Sequence, residues 1–137
     1  KMTRFSLTMD EALDFILESA FLGKGSEVFI PKLRSYSIMD VKNAVSELTK
    51  DTGSINISIR PGEKLHEKLI NRDESRYAWE LQNKYIIFNP LKSELEIKKQ
   101  YPGIQRAKFE NTYSSDNVEK LSKDQIKRII IKNKLID

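Results

Sequence analysis

The sequence contains no cysteine, which removes disulfide frameworks, thiolate metal sites and cysteine nucleophiles together. Histidine is nearly as scarce: His66 stands alone, so a multi-histidine metal site is excluded and a Ser-His-Asp triad has one available base. No metal site is expected. No run approaches the roughly 20 apolar residues that a bilayer span needs, and the first residues lack the charged, apolar and small segments of a secretory signal. The chain therefore reads as soluble, with no membrane partner. It opens Lys1-Met2, a start that reads as the middle of a longer polypeptide.

What is present is enough for a core. With 137 residues, 39% of them apolar, the expectation is a single domain over 1–137. The net charge of +4 is uneven: residues 1–91 hold 13 basic and 13 acidic side chains, and residues 92–137 hold 11 basic and 7 acidic. The C-terminal lysines alternate with acids, and the only aromatics among them are Tyr101, Phe109 and Tyr113, so a solvated surface is expected and no nucleic acid partner.

Local patterns define a mixed α/β chain without repeats. Thr8 and Glu11 have capping-box spacing, and Met9, Leu13, Ile16, Leu17, Ala20 and Phe21 follow at helical period until Gly23. Glu27 to Pro31 reads as a short strand. Ser37 and Asp40 precede a second helical pattern at Val41, Ala44, Val45 and Leu48. Ile55, Ile57 and Ile59 alternate with polar residues, which predicts a half-buried strand, and Lys64 to Leu81 reads as helical in pieces. Tyr85 to Phe88 is another strand. Periodicity is poor from 91 to 117, which predicts an irregular excursion over the surface. Ser122 with Gln125 caps a last helix, for which Leu121 and Ile126 have the spacing of a hydrophobic staple.

The segment Ile59 to Glu67, IRPGEKLHE, carries the most chemistry. Pro61 biases Arg60 toward an extended backbone and Gly62 permits a sharp reversal, so two charged side chains project from a rigid turn. Arg60 offers a planar, permanently charged fork suited to phosphate oxygens, and Glu63 offers paired acceptors suited to vicinal hydroxyls such as those of a ribose. A surface turn with an internal ion pair would use the same residues.

The stretches MTRF (2–5), EVFIPK (27–32), IRPGEKLHEKLI (59–70) and TYSSDN (112–117) occur in an order and spacing that resemble the C-terminal half of bacterial UDP-N-acetylglucosamine 4,6-dehydratases of the inverting kind. Within them, the SSDN segment followed by Leu-Ser-Lys-Asp looks closest to the 4,6-dehydratase/5-epimerases of capsule and O-antigen synthesis. The resemblance implies an α/β fold: the C-terminal substrate-binding lobe of an extended Rossmann-type short-chain dehydrogenase/reductase, with the cofactor domain absent. It implies that Arg60 reaches the nucleotide pyrophosphate, that Glu63 holds the ribose hydroxyls, and that Arg4 meets the same phosphates. Asp10 or Glu11 is the alternative partner for Arg4. His66 and Glu67 are expected to form hydrogen bonds rather than to catalyse, and Tyr77 and Trp79 to pack.

The chemistry implied for the parent needs a glycine-rich turn for NADP and a Tyr-x-x-x-Lys pair. The five glycines, at 23, 25, 53, 62 and 103, never take that spacing, and no tyrosine is followed four residues later by lysine. No catalytic residue and no bound cofactor are therefore expected of this chain alone. NADP is expected in the parent enzyme, whose implied partners are a UDP-sugar, the cofactor-binding N-terminal half and further copies of itself, in the cytoplasm. Without that half, the first helix and the EVFIP strand are expected to leave an apolar face and a strand edge in water. The alternative function is a non-catalytic interaction or assembly module that keeps the fold and has lost the ligand.

Overall fold

The computed structural model describes residues 2–51, 53–109 and 111–136. Its elements run β1 (Thr3–Phe5), α1 (Met9–Leu22), β2 (Val28–Pro31), β3 (Ser35–Ser37), α2 (Ile38–Leu48), β4 (Lys68–Ile70), α3 (Arg72–Ser75), β5 (Ala78–Leu81), β6 (Lys84–Ile87), α4 (Glu94–Gln100), β7 (Gln105–Arg106), β8 (Tyr113–Ser114) and α5 (Lys123–Lys132). They divide into two compact units, one built from residues 1–6, 34–67 and 114–137, the other from 7–33 and 68–113.

In the first unit β1 pairs antiparallel with β3, placing Arg4 opposite Tyr36. The β3 residue Ser37 caps α2 by accepting a bond from the Met39 N–H at 3.2 Å, so strand and helix join without a loop. α2 packs against α5 through Ala44, Leu121, Ile126 and Ile130, with Val41, Val45 and Leu48 around them. The capping box at Ser122 and Gln125 is formed, and Leu121 and Ile126 are both buried beside it as a staple requires. Glu47 on α2 accepts from Lys123 and Lys127 on α5.

Residues 55–59 differ from the expected strand. They form no strand, and Ile55 is 90% and Ile59 54% exposed. Period-2 alternation marks a chain that could pair, but a strand is made only by a partner that receives its N–H and C=O groups, and no strand among the described residues pairs with this segment.

The second unit is built on a four-stranded antiparallel sheet in the order β2-β6-β5-β7. Trp79 and Ile86 of its central strands pack with Phe88, Ile97, Tyr101 and Ile104, and Leu22, Phe29 and Leu81 flank them. Helical structure within 64–81 is confined to Arg72–Ser75, because Ala78 and Trp79 are buried in the sheet and cross-strand packing overrides local helix propensity. Within 91–117, where the sequence shows little periodicity, lies α4, capped by Ser93 and Glu96; it buries a single residue, Ile97, which is too little to make a visible stripe.

α1 has the capping box expected at Thr8 and Glu11, yet none of its residues is buried. Met9, Leu13, Ile16, Leu17 and Phe21 face solvent, with Phe21 87% exposed. β2 pairs with β6 at the sheet edge.

Candidate functional site

Arg60 to Glu63 forms a tight turn in which the Glu63 N–H donates to the Arg60 carbonyl at 3.0 Å. Pro61 stands at the position whose φ a proline presets, and Gly62 has φ +83°, which identifies a type II turn and explains the glycine. Oε2 of Glu63 accepts from the Arg60 N–H at 3.1 Å, closing the turn a second time. The backbone is thus held while the Arg60 guanidinium, exposed, has no hydrogen bond or ion pair among the described residues. Its fork is available to an anion.

Arg4 reaches the same place from β1. Its Nη2 lies 3.8 Å from Oε1 of Glu63 and its Nε 3.6 Å from Oε1 of Glu67. Nη1 donates to the Thr3 carbonyl at 2.7 Å and to the Leu65 carbonyl at 3.3 Å. Glu67 is itself anchored, since its Oε2 accepts from the Phe5 N–H at 3.0 Å. All three residues singled out from the sequence, Arg4, Arg60 and Glu63, therefore come together around one turn.

Beneath them lies a buried polar network. The Thr3 hydroxyl is 2.8 Å from Nδ1 of His66 and 2.7 Å from the hydroxyl of Ser115, which is fully buried. The Ser115 oxygen also accepts from the Glu67 N–H at 2.9 Å, and the Ser115 N–H donates to the Glu67 carbonyl at 2.8 Å. Next to it the Ser114 hydroxyl lies within bonding distance of the Glu67 carbonyl and of Asp116 Oδ1, at 2.9 and 2.6 Å. That hydroxyl is the main reason the Asp116 carboxyl is held below its ordinary range. The MTRF, RPGEKLHE and SSDN stretches thus meet in one network within the first unit.

His66 has the hydrogen-bonding role expected of it. Sequence reasoning missed Thr3 and Ser115 as the pins of the network; both sat inside quoted motifs, but small hydroxyl residues carry no periodic or charge signal that separates a buried anchor from a loop residue. Trp79 packs in the core of the other unit, and Tyr77 is partly exposed.

The mixed α/β chain is of the extended short-chain dehydrogenase/reductase type, as its relatives and a solved neighbour show. Residues 1–89 match the family model described as "Polysaccharide biosynthesis protein", and the chain belongs to that family. It is similar to the "UDP-N-acetylglucosamine 4,6-dehydratase (inverting)" of Campylobacter jejuni serotype O:2, with 34% identity over 122 residues, covering 85% of this chain and 36% of that enzyme. It is also similar to "Capsular polysaccharide biosynthesis protein CapD" of Staphylococcus aureus, with 38% identity over 79 residues, covering 54% of this chain and 13% of that protein. Among solved structures, Pen from Bacillus thuringiensis superposes with a TM-score of 0.80 at 33% identity, covering 99% of this chain and 39% of that one. The chain spans little more than a third of the length of the dehydratase and of Pen. The expected resemblance to inverting dehydratases is therefore borne out.

Proposed function

We propose that this chain is the UDP-sugar-binding part of a nucleotide-sugar 4,6-dehydratase/5-epimerase acting on UDP-N-acetylglucosamine in surface polysaccharide biosynthesis. The observation that carries the proposal is the exposed Arg60 guanidinium, without a hydrogen bond or ion pair among the described residues, on a type II turn whose other end presents Glu63. The Arg60 fork suits the diphosphate, and Glu63 suits the ribose hydroxyls, because a carboxylate has about four lone-pair sites and its present partners leave some open. Arg4 stands beside Glu63 as the third member of the site.

The residues of this chain do not fit a dinucleotide cofactor. The glycines with positive φ, at 25, 53, 62 and 103, lie in separate loops rather than in one phosphate-cradling turn before a helix. NADP chemistry is accordingly assigned to the cofactor-binding half of a longer, cytoplasmic and homo-oligomeric enzyme. This chain clamps the UDP part and so orients the hexose, which lowers the entropic part of the barrier.

Calorimetric titration with UDP and UDP-N-acetylglucosamine tests the proposal. Binding should be present in the wild type and weakened about tenfold or more by Arg60→Ala, the scale of a lost charge-assisted contact. A folded wild-type chain that takes up neither ligand would sink the proposal. It would favour the second reading, an assembly module without ligand, for which the exposed apolar stripe of α1 is the supporting observation.

A further inference from the structure

A polar groove runs between α1 and the turn that joins β5 to β6, wholly within the second unit. It consists of two hollows that share Glu18 and Asn83. One, of about 480 Å³, is lined by Glu18, Phe21, Leu22, Gln82, Asn83 and Lys84; the other, of about 260 Å³, continues along α1 past Asp14 and Phe15. Asp14 and Glu18 lie one helical turn apart on the α1 wall, and the opposite wall carries Lys84 and the side-chain amides of Gln82 and Asn83.

Lys84 is the unusual member. It is only 3% exposed, and its ammonium donates to one acceptor among the described residues, Oε2 of Glu18 at 2.8 Å. An ammonium has three N–H donors, and buried donors are ordinarily all met because an unmet one is costly away from water. Two donors of Lys84 therefore have no acceptor among the described residues. The Asp14 carboxylate and the Gln82 and Asn83 side-chain amides likewise make no hydrogen bond among them. Donors and acceptors thus face each other across the groove, and Phe21, 87% exposed, adds an apolar surface at one end.

We infer that this groove binds a neutral, polyhydroxylated ligand of the hexose class, at a site separate from the Arg60 turn. A hydroxyl group has one donor and two acceptor sites, so a single hydroxyl takes an N–H of Lys84 while donating to Glu18, and its neighbour pairs with the Asn83 amide or Asp14. The apolar C–H face of a sugar ring covers the Phe21 side chain, as the mixed lining of ligand sites requires. An anion fits poorly, because Asp14 and Glu18 repel it in the same groove where Lys84 attracts it. A metal ion fits no better, since no group of three or more potential ligands exists among the described residues.

Methyl glucoside is the probe, and methyl glucuronide, which replaces one hydroxymethyl group by a carboxylate, is its charged counterpart. The isotope-labelled chain is titrated with each, and the NMR resonances of the Gln82 and Asn83 side-chain amides are followed. Methyl glucoside should bind with a Kd of about 1 mM, the scale for a ligand of about thirteen non-hydrogen atoms. The glucuronide should bind about threefold more weakly or worse, because its carboxylate meets Asp14 and Glu18. Lys84→Met keeps the length of the side chain, removes its donors and should weaken methyl glucoside about tenfold, the scale of one hydrogen bond to a charged group. Glu18→Gln should weaken it about fivefold and carries the test if Lys84→Met does not fold. Saturating UDP should leave the methyl glucoside shifts in place. The inference is overturned by any of four results: no shift of these amides up to about 20 mM probe, glucuronide binding as tight as that of the glucoside, unchanged affinity in the folded variant, or displacement by UDP. The UDP reading has its own titration and stands or falls apart from these results.

Discussion

Replacing Ser115 by alanine removes one oxygen from the most buried point of the candidate site. That oxygen is within bonding distance of the Thr3 hydroxyl at 2.7 Å and the Thr3 carbonyl at 3.2 Å, and it accepts from the Glu67 N–H at 2.9 Å. With Ser115 at 0% exposure, no water replaces it without rearrangement. A buried donor left unsatisfied costs about 1–3 kcal/mol, and the lost hydroxyl bond adds about 1 kcal/mol net, so Ser115→Ala should destabilise by about 2–4 kcal/mol. For a chain of this length that corresponds to a fall in Tm of roughly 6–15 °C. Thermal and urea unfolding followed by far-UV circular dichroism measures it. Thr3→Val removes the partner hydroxyl, and in a double-mutant cycle the two changes should couple by about 1 kcal/mol because they share one network. A loss below about 0.5 kcal/mol for Ser115→Ala, or additivity in the cycle, would show that the network does not hold the site together.

Two further outcomes follow from other parts of the chain. Glu47 is held at a pKa of about 2, against an ordinary 4.5, chiefly by the hydrogen bond from Lys123 and then by that from Lys127. Its folded pKa is depressed, so its contribution to stability is fully present above pH 4.5 and is lost as pH falls toward 2; urea midpoints across that range should decline less steeply in Glu47→Gln than in the wild type. The apolar stripe on α1 should make the isolated chain self-associate at tens of micromolar, and Ile16→Ser with Phe21→Ser should return it to a monomer; strictly monomeric elution of the wild type would remove that expectation.

The helix ends and the turn were legible because they are local. Capping boxes at Thr8 and Ser122, the cap at Ser37 and the Pro-Gly pair at 61 and 62 each specify a backbone geometry within three or four residues, and the structure shows all of them. The stripes of α2 and α5 were legible for the same reason, since both helices bury one face. Arg60 and Glu63 could be paired from their places on the turn alone.

Tertiary structure decided what depends on partners far along the chain. Ile55 to Ile59 has the sequence of a strand and pairs with none among the described residues, whereas Ala78 to Leu81, read as helical, became a central strand because β6 and β7 lie on either side of it. The sequence could not show that Arg4 pairs with Glu63 and Glu67 while the Arg60 side chain has no partner among the described residues, because that contrast depends on a contact across some 60 residues of chain. The same holds for Thr3, His66 and Ser115, whose hydroxyls and imidazole meet across up to 112 residues. Residue types set which groups can bind a nucleotide, and packing sets which of them are left open to do so.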